Sequence, residues 1–116
     1  MRDKDFVHLH LHTDYSLLDG AIQIKPLATR LERLQMKACA MTDHGNMYGA
    51  ISFYNTMKGN GIKPIIGCET YLATGSRKDR GGRAAPGEKI NHHLILLAKD
   101  YDGYRSLSRL TSKAFT

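Results

Sequence analysis

The sequence predicts an α/β fold built around a parallel sheet. Short apolar runs of strand length alternate with segments whose apolar residues recur at helical spacing. Turns rich in glycine separate them. Residue types that bind metals also gather near the ends of the strand-like runs, where parallel α/β sheets collect their chemistry.

The first run, FVHLHLH at residues 6–12, places His8, His10 and His12 at alternate positions. Alternate residues of a strand share a face. The pattern therefore predicts a strand with a histidine face and a packing face of Val7, Leu9 and Leu11. Taken alone, alternating histidines fit a solvated edge strand as well as a metal face. A helix is expected within DGAIQIKPLATRLERLQM, with Pro26 in its first turn and Leu27, Leu31 and Leu34 at helical spacing. KACAMTDHG reads as a buried strand that turns at Gly45. In NMYGAISFYNTMKGNG, Ala50, Phe53, Tyr54 and Met57 mark a helix face, Asn46 is the candidate N-cap, and Gly59 and Gly61 end the helix. IKPIIGCETYLA is the third strand, with Pro64 near its start, where a missing amide proton is tolerated. A basic loop at residues 74–91 leads to HHLILLAKD, the fourth and most apolar strand. YDGYRSLSRLTSKAF closes as a helix with Tyr104, Leu107 and Leu110 inward. Helices between successive strands imply parallel pairing through right-handed crossovers.

With 116 residues the chain is long enough for one domain with a core, and its 41% hydrophobic and 24% charged content is that of a soluble globular protein. No apolar run reaches membrane-spanning length, and MRDKDF is not a secretion signal. Cys39 and Cys68 stand alone inside apolar runs. Reduced, buried thiols in a cytoplasmic protein are expected. Half of the net charge of +6 comes from residues 75–89, where five basic side chains face two acidic ones. Charge alone favours a solvated loop over a site for an anionic partner such as nucleic acid.

Histidines and carboxylates recur along the strands: His10 and His12 on the first, Asp43 and His44 at the end of the second, Glu69 late in the third, His93 in the fourth. The position of His93 at the start of its strand fits the strand-end rule poorly. Together these nitrogen and oxygen donors predict one metal site, suited to borderline ions such as zinc, manganese or iron. Glu69 is the type of residue that bridges two ions. Asp43 is open between ligand and support for a ligand.

The segments HLHTDYSLLDG, MTDHGNMYGAISFY, GIKPIIGCETYLA and HHLILLAKDYDGYRSLSRLTSKAF resemble the PHP (polymerase and histidinol phosphatase) domain of bacterial replicative DNA polymerase III alpha subunits. The likeness covers nearly the whole chain outside the basic loop. It implies a distorted (β/α)7 barrel holding up to three divalent ions, with His10, His12, Asp19, His44, Glu69 and His93 as ligands and Asp43 as a catalytic or supporting residue. The family's domain runs on beyond the length of this chain and brings further ligands. The resemblance therefore implies that residues 1–116 are the N-terminal part of a PHP domain, about half of the barrel, inactive by itself and prone to self-association. In the whole polymerase the chemistry implied is 3′-5′ removal of nucleotides, with DNA, the other polymerase domains and replisome subunits as partners. Arg77, Lys78, Arg80 and Arg83 of the basic loop are the candidate DNA contacts. A stand-alone PHP phosphatase of a small phosphomonoester and a metal-stabilised structural module are the alternative readings.

Overall fold

A computed structural model of the chain describes residues 2–79, 86–87 and 91–116. A 3-10 turn (Asp3–Asp5) precedes an extended segment, then helix α1 (Ile24–Arg33), strand β1 (Ala38–Met41), helix α2 (Ala50–Gly59), strand β2 (Lys63–Ala73), strand β3 (Asn91–Leu97) and helix α3 (Tyr101–Lys113). The sheet has the order β1-β2-β3.

The all-parallel expectation needs correction. β1 and β2 are parallel, from Ala38 opposite Lys63 to Met41 opposite Ile66. β3 runs antiparallel to β2, from Leu97 opposite Gly67 to Asn91 opposite Ala73. No helix was expected between the third and fourth strands, and a direct connection of that kind joins antiparallel neighbours as a long hairpin. β2 thus pairs with β1 over its first four residues and with β3 over its last seven. Lys63 donates its amide to Lys37 on the β1 side. The next amide position faces the other way, below the end of β3, so Pro64 forfeits no ladder bond there.

The histidine-rich segment is the second correction. It is extended beside β1 but forms only an isolated parallel bridge, His8 with Cys39. Ala40 donates to the His8 carbonyl and Thr42 to the Leu11 carbonyl. The Leu11 amide, however, donates to the Thr42 hydroxyl at 2.8 Å. A side chain replaces a carbonyl in the ladder, and the regular strand is interrupted. Of its expected packing face only Leu11 is buried, while Val7 and Leu9 remain exposed.

Helices α1 and α2 cover the sheet with Ile24, Ala28, Leu31, Phe53 and Met57, packed on Cys39 and Met41. Burying side chains such as Phe53 and Leu31 contributes about 1.5–3 kcal/mol each. Pro26 lies in the first turn of α1, and Gly61 (φ 69°) follows the end of α2 in the left-handed region. Asn46 is not the N-cap of α2, which is Gly49. Its side chain instead ties the preceding turn, donating to the carbonyls of Tyr15 and His44. Helix α3 is capped by Asp100, whose carboxylate accepts from the Gly103 amide. It rests on the sheet through Leu107, with Tyr104 half-buried. Tyr54 and Leu110, expected inside, are 46% exposed; Tyr54 borders a cavity of about 380 Å³ that α2 and α3 leave between them and that Tyr104 and Ile66 also line. Both cysteines are buried and free, as expected. No helix among the described residues is long and apolar enough to cross a membrane.

Candidate metal centre

The β1–β2 register continues past the end of β1. Met41 lies opposite Ile66, and an isolated bridge pairs His44 with Glu69 in the same offset. Glu69 donates its amide to the Asp43 carbonyl and accepts from the Gly45 amide. This fixes Glu69 beside the TDH turn. On the other side of β2, Tyr71 lies opposite His93. Because β3 runs backwards, its first residues lie at the carboxyl end of β2. The antiparallel direction is what lets a histidine at the start of a strand join the others.

Glu69 is buried, and four histidines converge on it. Oε2 lies 3.2 Å from His10 Nε2 and 3.4 Å from His44 Nδ1, and it also contacts His12 Nε2. Oε1 lies 2.6 Å from His93 Nδ1. Asp19 closes the far side: its Oδ2 is 2.7 Å from His44 Nε2 and 3.5 Å from His12 Nδ1. Gly20 makes that approach possible, since a Cβ there would lie 1.8 Å from the Thr13 carbonyl oxygen. Burial drives the Glu69 pKa up. The bonds to His10 and His12 and the charges of His44 and His12 oppose it and prevail, so the carboxyl sits below its ordinary value.

This donor set fits divalent ions better than it fits hydrogen bonding. One carboxylate oxygen faces three ring nitrogens, more than its two lone pairs serve well. His44 Nδ1 is buried without a hydrogen-bond partner among the described residues. Two groups have ligand atoms within 4.8 Å of one another: His10, His12 and Glu69, and His12, Asp19 and His44. His12 belongs to both, and Glu69 offers its second oxygen to His93. Nitrogen donors around a buried carboxylate, with a second carboxylate beside them, are a donor set suited to divalent ions.

Asp43 has a different place. It is fully buried. Its Oδ1 accepts from the Thr13 amide at 2.6 Å and the Ser16 hydroxyl at 2.8 Å, and Oδ2 accepts from the Thr13 hydroxyl at 2.8 Å. The Ser16 hydroxyl in turn accepts from the His44 amide. Asp43 therefore ties the turn that follows His12 to the turn that carries His44, and both its oxygens are engaged in doing so. Of the roles the sequence leaves open for Asp43, support for a ligand is the one this bonding fits.

Two features escaped sequence reasoning. Tyr71 is 59% exposed, with its ring 5.1 Å from that of His93 and 6.4 Å from that of His44. It lies two residues after Glu69 on the same strand face, so the alternation that grouped the histidines could have found it. Thr13 and Ser16, which hold Asp43, carried no signal beyond their residue type. His8 borders a hollow of about 480 Å³ beside His10, His12 and Asp19. His92, opposite Leu72, falls on the other face from His93. In the basic loop Arg77 and Lys78 are exposed, whereas Arg80 and Arg83 lie outside the described residues.

The family model of the PHP domain matches residues 8–116. The chain belongs to the PHP domain family. Its histidines and Glu69 are thus seen in a PHP domain whose similarity to known proteins is close. The chain is 51% identical over 115 residues to the DNA polymerase III subunit alpha of Aquifex aeolicus, covering 97% of this chain and 10% of that protein. It is also 51% identical over 119 residues to the subunit of the same name from Deinococcus radiodurans, covering 97% and 9%. The chain thus spans about a tenth of the length of the curated relatives it matches. Among solved structures, a chain assigned as a metal-dependent phosphoesterase from Bifidobacterium adolescentis aligns with a TM-score of 0.58 at 16% identity, over 89% of this chain and 32% of its own. An amidohydrolase from Chromobacterium violaceum aligns at 0.57 and 20% identity, over the same shares. These structural likenesses bear on the fold alone: a mixed α/β arrangement shared with both proteins.

Proposed function

We propose that this PHP domain is a divalent-metal phosphoesterase centre within a DNA polymerase III alpha subunit, serving 3′-5′ removal of nucleotides from DNA. The observation that carries the reading is the convergence of four histidines on the buried Glu69 carboxylate, with Asp19 beside them. His10, His12 and Glu69 would hold one ion, and Asp19 and His44 would supply donors for a second, with His93 completing the set through the other oxygen of Glu69. Zinc, manganese or iron suits these donors, with up to three ions once the rest of the family's domain contributes its own. Bound ions supply a water acidified to a pKa near ~7 and positive charge against the phosphate oxygens. The chain itself orients the donors, buries the shared carboxylate, and leaves a hollow beside His10 and His12 for a phosphoester. Asp43 acts through the turns it joins.

Identity near one half over 97% of the chain favours the polymerase branch over a stand-alone phosphatase. On this reading the sheet is part of a barrel, the partners are DNA, the other polymerase domains and replisome subunits, and the setting is the cytoplasm. Arg77 and Lys78, with Arg80 and Arg83, would contact DNA.

Elemental analysis of the purified chain after loading with manganese or zinc tests the centre. His12→Ala and His10→Ala are each expected to lower the stoichiometry by one, because both would supply donors to the ion that Glu69 holds. Metal content unchanged in both His12→Ala and Glu69→Ala would refute the assignment. Release of 3′ nucleotides from single-stranded DNA, measured on the longest natural polypeptide that carries this chain, then separates an active centre from a structural one.

A further inference from the structure

Helix α3 carries a second, separate pattern. Arg105, Arg109 and Lys113 recur every four residues and are all exposed. They lie on the face opposite Leu107, the helix's buried anchor. Four residues of helix rise ~6 Å, a distance comparable with the separation of successive phosphates along an extended nucleic-acid strand. The only carboxylates of the helix stand at its start: Asp100, the cap, and Asp102 in the first turn. Among the described residues none of these three cations has an ion-pair partner.

The stripe also has a direction. α3 follows β3, turns back, and so runs parallel to β2. Its last turn comes to the end of the sheet where Glu69 and His93 meet. Arg77, in the loop that leaves β2 at that end, donates from Nη1 to the Lys113 carbonyl at 3.3 Å. The guanidinium joins the row at its downstream end, and Lys78 follows it. Four cations thus form one row, ~12 Å long on the helix alone, which Arg77 extends past Lys113.

We infer that Arg105, Arg109, Lys113 and Arg77 bind the phosphate backbone of a single-stranded nucleic acid along α3. The choice of nucleic acid over an acidic protein rests on the phosphodiester chemistry proposed above. The track itself is a matter of charge and spacing and needs no metal.

Anisotropy of a fluorescein-labelled oligothymidylate tests it on this chain over a series of salt concentrations. Each phosphate contact contributes about 0.7 to the slope of log affinity against log salt for a single strand. The combined Arg105→Ser, Arg109→Ser and Lys113→Ser variant is expected to flatten that slope by about 2, with circular dichroism and metal content unchanged. Arg105→Lys with Arg109→Lys keeps the charge and should keep the slope. An unchanged slope in the triple serine variant overturns the inference, as does absence of oligonucleotide binding by the unaltered chain. Stronger binding to polyglutamate or to anionic vesicles than to the oligonucleotide overturns it too, by assigning the track to a protein or a membrane. Failure of the metal reading looks different: metal content would be nil in the unaltered chain while the salt slope of oligonucleotide binding stands. His12→Ala is expected to lose metal and keep that slope.

Discussion

Replacing Asp43 distinguishes a residue that supports the centre from one that binds its ions. The carboxylate accepts three hydrogen bonds, from the Thr13 amide, the Thr13 hydroxyl and the Ser16 hydroxyl, at 2.6–2.8 Å, in a fully buried setting. Hydrogen bonds to a charged group contribute about 1.5–3 kcal/mol each. They do not add simply here, because two of the three share Oδ1 and the hydroxyls can re-aim. The Thr13 amide cannot, and a buried donor left without an acceptor costs about 1–3 kcal/mol. Asp43→Ala should therefore destabilise the metal-free chain by about 3–5 kcal/mol, a large fraction of the ~6–17 kcal/mol typical of this length. Asp43→Asn keeps the volume and one carbonyl oxygen, so about 1–2 kcal/mol is expected. Ser16→Ala removes one of the three bonds together with the acceptor for the His44 amide.

Urea unfolding followed by circular dichroism measures these changes, and elemental analysis at saturating metal measures the site. With Asp43→Asn and Ser16→Ala, the unfolding midpoint should fall while ion stoichiometry is kept, with affinity weakened about 10–100-fold as the turn carrying His44 loosens. A ligand would behave in the opposite way. If Asp43→Asn abolishes an ion site and leaves the metal-free stability within about 0.5 kcal/mol of the original, the supporting role argued from these hydrogen bonds is wrong.

Two further outcomes follow from burial and from the sheet edge. Burial pushes the thiols of Cys39 and Cys68 up to about 11 each, with a smaller push on Cys68 from the nearby charges of Asp43 and Glu69. In the unfolded chain both ionise near their ordinary value of 9.0. Between those limits the unfolded state has lost protons that the folded state keeps, so stability is intact below pH 9 and falls above it by about 1.4 kcal/mol per thiol per pH unit. Cys39→Ala with Cys68→Ala should remove this alkaline slope, and a slope that survives in the double variant refutes its origin in the thiols. The second concerns association. β3 has a ladder partner on one side only among the described residues, Leu72 and Leu94 are exposed, and the radius of gyration of 15.9 Å exceeds the ~13 Å of a compact domain of this length. An open edge with apolar flanks favours pairing with a second copy, so light scattering at micromolar concentration should give a dimer or larger species, and a stable monomer would refute that.

Much of the fold was legible because it rests on local periodicity. The helix faces at Leu31, Phe53, Met57 and Leu107 follow from spacing alone, and so do the buried runs at Cys39 and Cys68. What was not legible depends on partners distant in sequence. The direction of β3 is the exception, since the lack of a helix before it already pointed to antiparallel pairing. Whether residues 6–12 complete a ladder depends on a hydroxyl at Thr42, 31 residues away from the Leu11 amide that it intercepts. The exposure of Tyr54 likewise depends on how far α2 and α3 stand apart, which neither helix's pattern contains.

The candidate site divides along the same line. The donor types and their alternation were readable, and the residues so grouped do meet around Glu69. Their division of labour was not, because Asp43 and His44 are neighbours in the chain with opposite fates. The two turn in different directions as β1 ends. Asp43 goes into the fold, where Thr13 and Ser16 take its charge, and His44 goes to the carboxylate of Glu69. Adjacent residues of an extended chain must face opposite ways, so once His44 belongs to the cluster Asp43 is turned away from it. The same rule applied to β2 joins Tyr71 to Glu69 and excludes Thr70. Applied to β3 it joins His93 and excludes His92. Strand direction decides which end of each strand reaches the site, and alternation then decides which of two neighbours does. The sequence carries the second rule in its alternation and the first in the presence or absence of a helix between strands.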